Sequence, residues 1–377
     1  MNEYDKWLRH GLLARSAPAD DGRVKALLAG VAGHRDATGQ PAMRFRRAAS
    51  LVLLPYGPGI TVYNFVTRRA FPGTATEISV LLAADDWRTE AWLRDRVSIV
   101  DEVARLVELN ALVVEGTGLA GRDEDYRRRW AWGPVAGLYH FASRDASYED
   151  TLPEQTDGPI LFRKHANWNE IPLPEVDETG NLWQVLRSRR SAREFSGEKI
   201  GRDSLGAVLF GGFGITGFVE DVSRGSMPLT MSPSGGALNP FEGYVLVRAV
   251  DGLAPGIYHY SGFDHSLQLV HGEEIPSAGT LLAGQQWADK AAAVVFLVAN
   301  FARTMWKYRS AVSYRVVMIE AGHIGQNIQL VATQRDLLAA PTCALRESAI
   351  EDLLGVEAID EAVVYAIALG ERIQDGN

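Results

Sequence analysis

The chain has 377 residues, 46% of them hydrophobic and 23% charged, with a formal net charge of −9. That is enough material for two cores, and it is the composition of an ordered protein, not of a disordered one. The acidic balance argues against a nucleic-acid groove, which needs a basic surface, and a single cysteine, Cys343, excludes an internal disulfide or a thiolate zinc cage.

In chain order, MNEYDKWLRHGLL is charged throughout and lacks the apolar stretch of a signal peptide. No run approaches the ~18 apolar residues of a membrane span, so a cytoplasmic protein is expected. Residues 1–150 read as a small mixed domain. LVLLPYGPGITVYNFV gives two strands around a Pro-Gly turn, and TATEISVLLAADDWRTEAWLRDRV gives two short helices. In SIVDEVARLVELNALVVEGT, Ser98 is placed to cap a third helix, with Val100, Val103 and Val107 on its apolar face and the strand ALVVEG behind it. Three helices followed by a β-wing is the order of a winged helix, expected here to dock a peptide. Residues 151–180 carry four prolines and read as a linker or extended arm.

From residue 181 the pattern is α+β. NLWQVLRSRR and DSLGAVLFGGFG read as helices, FEGYVLVRAV as a strand, and GIYHYSGFDHSLQLV as a hairpin. AAAVVFLVA is a buried strand, SYRVVMIEAGHIGQNIQLVATQRDLL a long helix, and AVVYAIALG a closing strand.

Several stretches could bear chemistry. In RSRRSAREF, Arg187, Arg189, Arg190 and Arg193 surround Ser191, and forked guanidiniums with a hydroxyl suit a phosphate. A solvated basic turn would read the same way. MSPSGGALNP offers paired glycines, Gly235 and Gly236, where a planar or anionic ligand can approach the backbone, and Asn239, whose amide suits a ring edge. Its plainer reading is a turn ahead of a strand. Gly212, Gly214 and Gly217 spell a dinucleotide fingerprint, but a helix precedes them and Phe218–Asp221 is expected to open a loop. Glu320, His323, Asn327 and Gln334 share one helix face and read as a hydrogen-bonded polar seam, while Ala321, Gly322 and Gly325 suggest close packing. Lys307-Tyr308 precedes the long helix. A lysine is a base near neutral pH only once desolvated, and a solvated helix start is the competing reading.

In this order, LRSRRSAREFSGEKI, PSGGALNP, GIYHY and KYRSAVSYRVVMIEAGHIGQN resemble the nitroreductase superfamily, and within it the SagB-type azoline dehydrogenases. LYHFASR and the winged-helix-like region resemble the longer members. The resemblance implies an α+β FMN-binding fold over 181–377, a central antiparallel-rich sheet flanked by helices, in a homodimer whose subunits complete each other's sites. It implies that Arg189, Arg190, Ser191 and Arg193 hold the flavin phosphate and ribityl chain, with Arg372 the one basic residue at the C-terminal end to assist. The loop Pro233, Ser234, Gly235, Gly236 to Asn239 would approach the ring and ribityl chain. Ala344-Leu345 stands where many relatives have Gly-Phe beside the flavin N5, with Cys343 adjacent. Lys307 and Tyr308 match a catalytic Lys-Tyr pair, Lys307 taking a Cα proton as a hydride leaves to the flavin. The implied activity is oxidation of an azoline ring or residue in a ribosomally made precursor peptide, with cyclodehydratase proteins as partners. An NAD(P)H-dependent nitro- or quinone reductase and a cofactor-free peptide-docking scaffold are the competing functions.

Overall fold

The computed structural model describes residues 43–56, 59–97, 101–145, 179–221, 225–272 and 274–373. The N-terminal part opens with β1 (Arg44–Arg47), followed by the meander β2 (Leu51–Tyr56), β3 (Gly59–Asn64) and β4 (Arg69–Gly73). Three short helices come next: α1 (Ala75–Ala83), then α2 (Glu90–Arg96) behind the two-residue β5 (Arg88–Thr89), then α3 (Glu102–Glu108), which leads into β6 (Leu112–Val114). α1 starts on a reciprocal cap: Thr74 Oγ1 accepts the Glu77 N–H, and Glu77 Oε2 accepts the Thr74 N–H. The cap expected at Ser98 lies outside the described residues, and Asp101 occupies the N-cap position of α3 without a side-chain bond.

The helix–helix–helix–strand succession is present. The small sheet it builds, however, is completed by β1, which lies between β5 and β6 and comes from ahead of the helices. After β6 the chain enters α4 (Gly118–Arg129) and α5 (Gly133–Ala142). The expected 151–180 arm falls outside the described residues except for 179 and 180.

The second part has α6 (Asn181–Ser188), α7 (Arg202–Phe213), β7 (Ile215–Asp221), β8 (Gly225–Thr230), β9 (Phe241–Val247), β10 (Gly256–Ser261) and β11 (Ser266–His271). It continues with α8 (Ala278–Leu281), β12 (Ala293–Asn300), α9 (Phe301–Lys307), α10 (Val312–Gln334), β13 (Leu338–Thr342), α11 (Glu347–Leu354) and β14 (Glu361–Gly370). Six strands form an antiparallel sheet in the order β11-β10-β9-β12-β14-β13. β12 is its centre, and the continuous apolar run follows from burial on both faces. Val295 and Leu297 join the core under α7 and α10, while Val294, Phe296 and Val298 join a second core with Leu281, Ile350 and Leu354.

Glycine permits the close contacts of α10. A Cβ at Gly325 would lie 2.4 Å from the Tyr365 ring, and one at Gly212 would lie 2.9 Å from Ile328. Gly212 and Gly214 therefore serve helix packing and the end of α7, with a helix before them and a strand after, the reverse of a dinucleotide site. Phe218–Asp221 is strand, not loop. It pairs with β8 from Phe218↔Pro228 to Asp221↔Gly225, because its partner supplies the ladder that an isolated segment lacks.

The N-terminal part shares one core with the sheet domain. Trp130, Trp132 and Phe141 pack with Phe301 and Tyr314 in the cluster that reaches Val295 and Leu297. His140 lies at its centre, fully enclosed, its Nε2 3.1 Å from the Ala358 carbonyl and its Nδ1 3.0 Å from the Tyr314 hydroxyl. A carbonyl only accepts, so Nε2 carries the proton and Nδ1 accepts from Tyr314. Burial, with help from the Arg144 charge, pushes this imidazole down to about 3. Polar ties surround the cluster. Arg129 forks onto Asp360, and Arg144 forks onto buried Glu351, whose Oε1 also accepts the Val363 N–H. Asp145 accepts the Ser348 N–H and hydroxyl at the start of α11.

Arg144→Met is expected to cost roughly 3–5 kcal/mol in denaturant unfolding, because Glu351 is left buried without its partner. His140 has a folded pKa below its unfolded one, so its contribution is intact above about pH 6.5 and is lost as pH falls toward 3. His140→Gln should therefore reduce the loss of stability between pH 7 and pH 5, measured by urea titrations at both values.

Candidate functional site

The opening of the site is set by α9, a short helix that the sequence reading did not include. Asn300 caps it, its side-chain oxygen accepting the Arg303 N–H. Lys307 is its last residue and Tyr308 its C-cap, with the Tyr308 N–H donated to Thr304 O at 2.8 Å. The pair thus ends one helix instead of beginning the next. The Lys307 ammonium lies over the Tyr308 ring, 5.0 Å from its centroid.

Against this pair stands the Pro233–Asn239 loop. Gly236 has φ +69°, and a Cβ there would lie 2.8 Å from the Tyr308 hydroxyl and 3.0 Å from Lys307 Nζ. The left-handed backbone favours glycine here, and a side chain would push the ends of Lys307 and Tyr308 aside. The loop is tied to α10 by the polar seam. Gly235 N–H donates to Glu320 Oε1 at 2.7 Å, and Asn327 Nδ2 donates to Ser232 Oγ and to the Met231 carbonyl. Burial raises the Glu320 carboxyl, although the Gly235 N–H, Ser234 and His323 pull the other way. His323 and Gln334 are exposed.

Asn239 spends its amide on the loop itself: Nδ2 donates to Pro228 O and Ala237 O, and Oδ1 accepts from Thr230. Its carbonyl accepts from Arg303 Nη1 at 2.8 Å. Arg303, one turn before Lys307, also pairs with Glu242, which accepts from His259 Nε2 at 2.8 Å. Burial works to raise Glu242, but these two partners outweigh it and hold the carboxyl below its ordinary value. Arg303, Glu242 and His259 line a cavity of about 410 Å³ beside Ala237 and Asn239, walled by Phe213, Phe241 and Phe263. Sequence reasoning missed this trio. Spacing could have found Arg303, four residues before Lys307 on one helix face, whereas Glu242 and His259 meet it only across strands β9 and β10.

The arginine turn lies elsewhere on the domain. Arg189 caps α6 and donates from Nη1 to Gln329 of α10 at 3.2 Å. Ser191 and Ala192 run along β13 at Ala339, and Phe195 bridges Arg372 just past β14. Arg190, Arg193 and Arg372 are exposed, and none of them forms an ion pair with a carboxylate among the described residues. Arg193 stands over the Trp287 ring, 5.5 Å from its centroid. Guanidiniums and a hydroxyl are donor types that suit a phosphate, and this one turn carries Arg189, Arg190, Ser191 and Arg193.

A family model described as the nitroreductase family matches residues 186–371. A nitroreductase-type protein of Methanocaldococcus jannaschii is 32% identical over 206 residues, which is 54% of this chain and 98% of that protein. The trifolitoxin-processing protein TfxB of Rhizobium leguminosarum bv. trifolii is 33% identical over 306 residues, 71% of this chain and 80% of that protein.

This chain belongs to the nitroreductase family.

Among solved structures, the Escherichia coli microcin synthetase McbBCD complex with truncated pro-MccB17 bound overlays 68% of this chain on 92% of one of its own, at TM-score 0.45 and 20% identity. In this nitroreductase-family chain the segment after β13 is pinned by Gln285, whose Nε2 donates to Thr342 Oγ1 and to the Ala344 carbonyl. Cys343 is exposed on it, and Leu345 is fully buried. No helix of the described residues is long and apolar enough to cross a membrane.

Gly236→Ala is expected to cost about 1–2 kcal/mol through its left-handed backbone alone and to displace Tyr308. Urea unfolding and a structure of the variant check the two effects.

Proposed function

We propose that this chain is an FMN-dependent dehydrogenase that oxidises a residue or azoline ring in a ribosomally made peptide. The observation that carries this reading is the placement of Lys307 and Tyr308 directly against Gly236 of the glycine loop. Family membership supports the flavin, and the match to TfxB supports the substrate class. That match extends over 71% of this chain, more than the family domain alone, and the relative's name says that it processes trifolitoxin.

The proposed FMN is held by Arg189, Arg190, Ser191 and Arg193, with Arg372, at the phosphate and ribityl chain. The Pro233–Gly236 backbone and the Cys343 segment lie at the ring. The chemistry a bound FMN supplies is acceptance of a hydride, with oxygen as the final oxidant. Lys307 Nζ, as the neutral amine, would take the Cα proton of the substrate. Tyr308, whose ring lies under the Lys307 side chain, would orient it. Arg303 fixes the carbonyl of Asn239 and so the end of the glycine loop on which the pair rests.

The proposed site is shared between two copies. Glu320, which holds the glycine loop, and Gln329, which holds Arg189, are nine residues apart on α10, half a turn out of phase. One chain thus keeps its arginine turn and its glycine loop on opposite sides of the helix, and a homodimer brings one protomer's turn to its partner's loop. Exposed Leu182, Trp183 and Leu186 on α6 and Val312, Val316 and Ile319 on α10 are the apolar surface such a dimer would cover. The proposed cytoplasmic setting, the peptide-docking role of residues 1–150 and a cyclodehydratase partner complete the reading.

The purified protein should be yellow and release FMN on denaturation. Lys307→Ala should keep the flavin and lose oxidation of a thiazoline-bearing peptide by at least about a hundredfold. A colourless protein that refuses FMN would overturn the whole reading. Retained peptide oxidation in the variant would remove Lys307 from its role, and fast bleaching by NADPH would favour a reductase.

A further inference from the structure

The Tyr308 carbonyl stands at the C-terminal end of α9, where the last carbonyls of a helix have no partner within it. It is satisfied from the other part of the chain. Trp132 Nε1, at the start of α5, donates to Tyr308 O at 2.8 Å. One residue earlier, the Ala131 N–H meets Met305 Sδ at 3.3 Å.

Trp132 itself is 2% exposed and held edge-on by three rings: Trp130 at 5.6 Å, Phe301 at 5.5 Å and Tyr314 at 5.7 Å. Phe301 begins α9 and Tyr314 lies in the first turn of α10, so the indole is clamped by the two helices that flank Tyr308. Tyr308, by contrast, has extended backbone angles and a half-exposed side chain. The segment from Tyr308 to Ala311 joins two helices, and a fixed donor at its first carbonyl decides how the chain leaves α9.

We propose that Trp132 is a positioning residue for the catalytic pair: its indole N–H fixes the Tyr308 carbonyl and so holds Lys307 and Tyr308 against Gly236. The catalytic half of this statement rests on the proposed role of Lys307; the structural half does not. In this arrangement the N-terminal part contributes to the site without touching the substrate. Loss of the N–H frees the exit from α9, and the Lys307–Tyr308 stacking loosens.

The test compares Trp132→Phe with Trp130→Phe in the full chain. Both remove an indole from the same cluster, but the Trp130 Nε1 donates to Gly133 O, within its own segment. Amide hydrogen exchange of residues 306–311 should quicken about fivefold or more in Trp132→Phe and stay near wild type in Trp130→Phe. Trace acetylation at one fixed pH, read by mass spectrometry at Lys307, should rise about two- to fivefold in Trp132→Phe only, as the side chain leaves the Tyr308 ring. Equal changes in both variants would overturn the proposal in favour of general packing, as would no change in Trp132→Phe. Where Trp132→Phe fails to fold, benzothienylalanine incorporated at position 132, which keeps the ring shape and lacks the indole N–H, takes its place and should raise exchange at 306–311; no rise there would overturn the proposal too. Neither readout needs turnover, so a Lys307→Ala enzyme that still oxidises peptide would remove the base assignment and leave this result standing.

Discussion

A neutral imidazole holds the two parts of this protein together. His140 stacks on Trp130 at 5.3 Å and meets Phe301 and Tyr314 edge-on, while its two nitrogens tie α5 to the first turn of α10 and to the entrance of β14. A charged ring could not satisfy that arrangement, because a protonated Nδ1 would donate into space where Tyr314 needs an acceptor for its own proton. Burial enforces the neutral form. Around it the rings of one part fill the gaps of the other, so the two share a core instead of meeting at a wet interface. The ion pairs Arg129–Asp360 and Arg144–Glu351 then set the register of an apolar seam that supplies most of the attraction.

That seam explains why the site can be rigid although its parts are short. α9 has seven residues and could not hold a shape alone. It is fixed at its start by Asn300 and the strand behind it, and at its end by contacts from α5. α10 does the complementary work on the loop side. It closes on β14 through Gly325, and it grips residues 231–235 through buried Glu320 and half-buried Asn327. The same helix also anchors the arginine turn, through Gln329 and Arg189.

The parts of this architecture that could be read beforehand are those written locally. The period of SYRVVMIEAGHIGQNIQLVATQ, the unbroken apolar run of β12 and the turn residues of the β10–β11 hairpin each specify an element by themselves. The polar seam on α10 was legible for the same reason, since helical spacing puts Glu320 and Asn327 on one face. Phe218–Asp221 was not, because its strand exists only through pairing with β8. The placement of Arg303 beside Glu242 and His259, and of Trp132 beside Tyr308, depends on contacts between residues far apart in the chain, for which no local pattern exists. The arginine turn was visible as composition, yet its tie to Gln329 comes from tertiary structure alone.

Exposure of the proposed base leads to the last step. Lys307 lies at the surface of the single chain, over the Tyr308 ring and open to water. On the proposed mechanism it becomes a base only when water is excluded from around it, and the chain offers two sources of exclusion: the apolar faces of α6 and α10, which a second protomer would cover, and the substrate itself. Proton abstraction is then tied to assembly and to peptide binding. In an unassembled or empty chain the pair stands in place against Gly236 with its surroundings open to water.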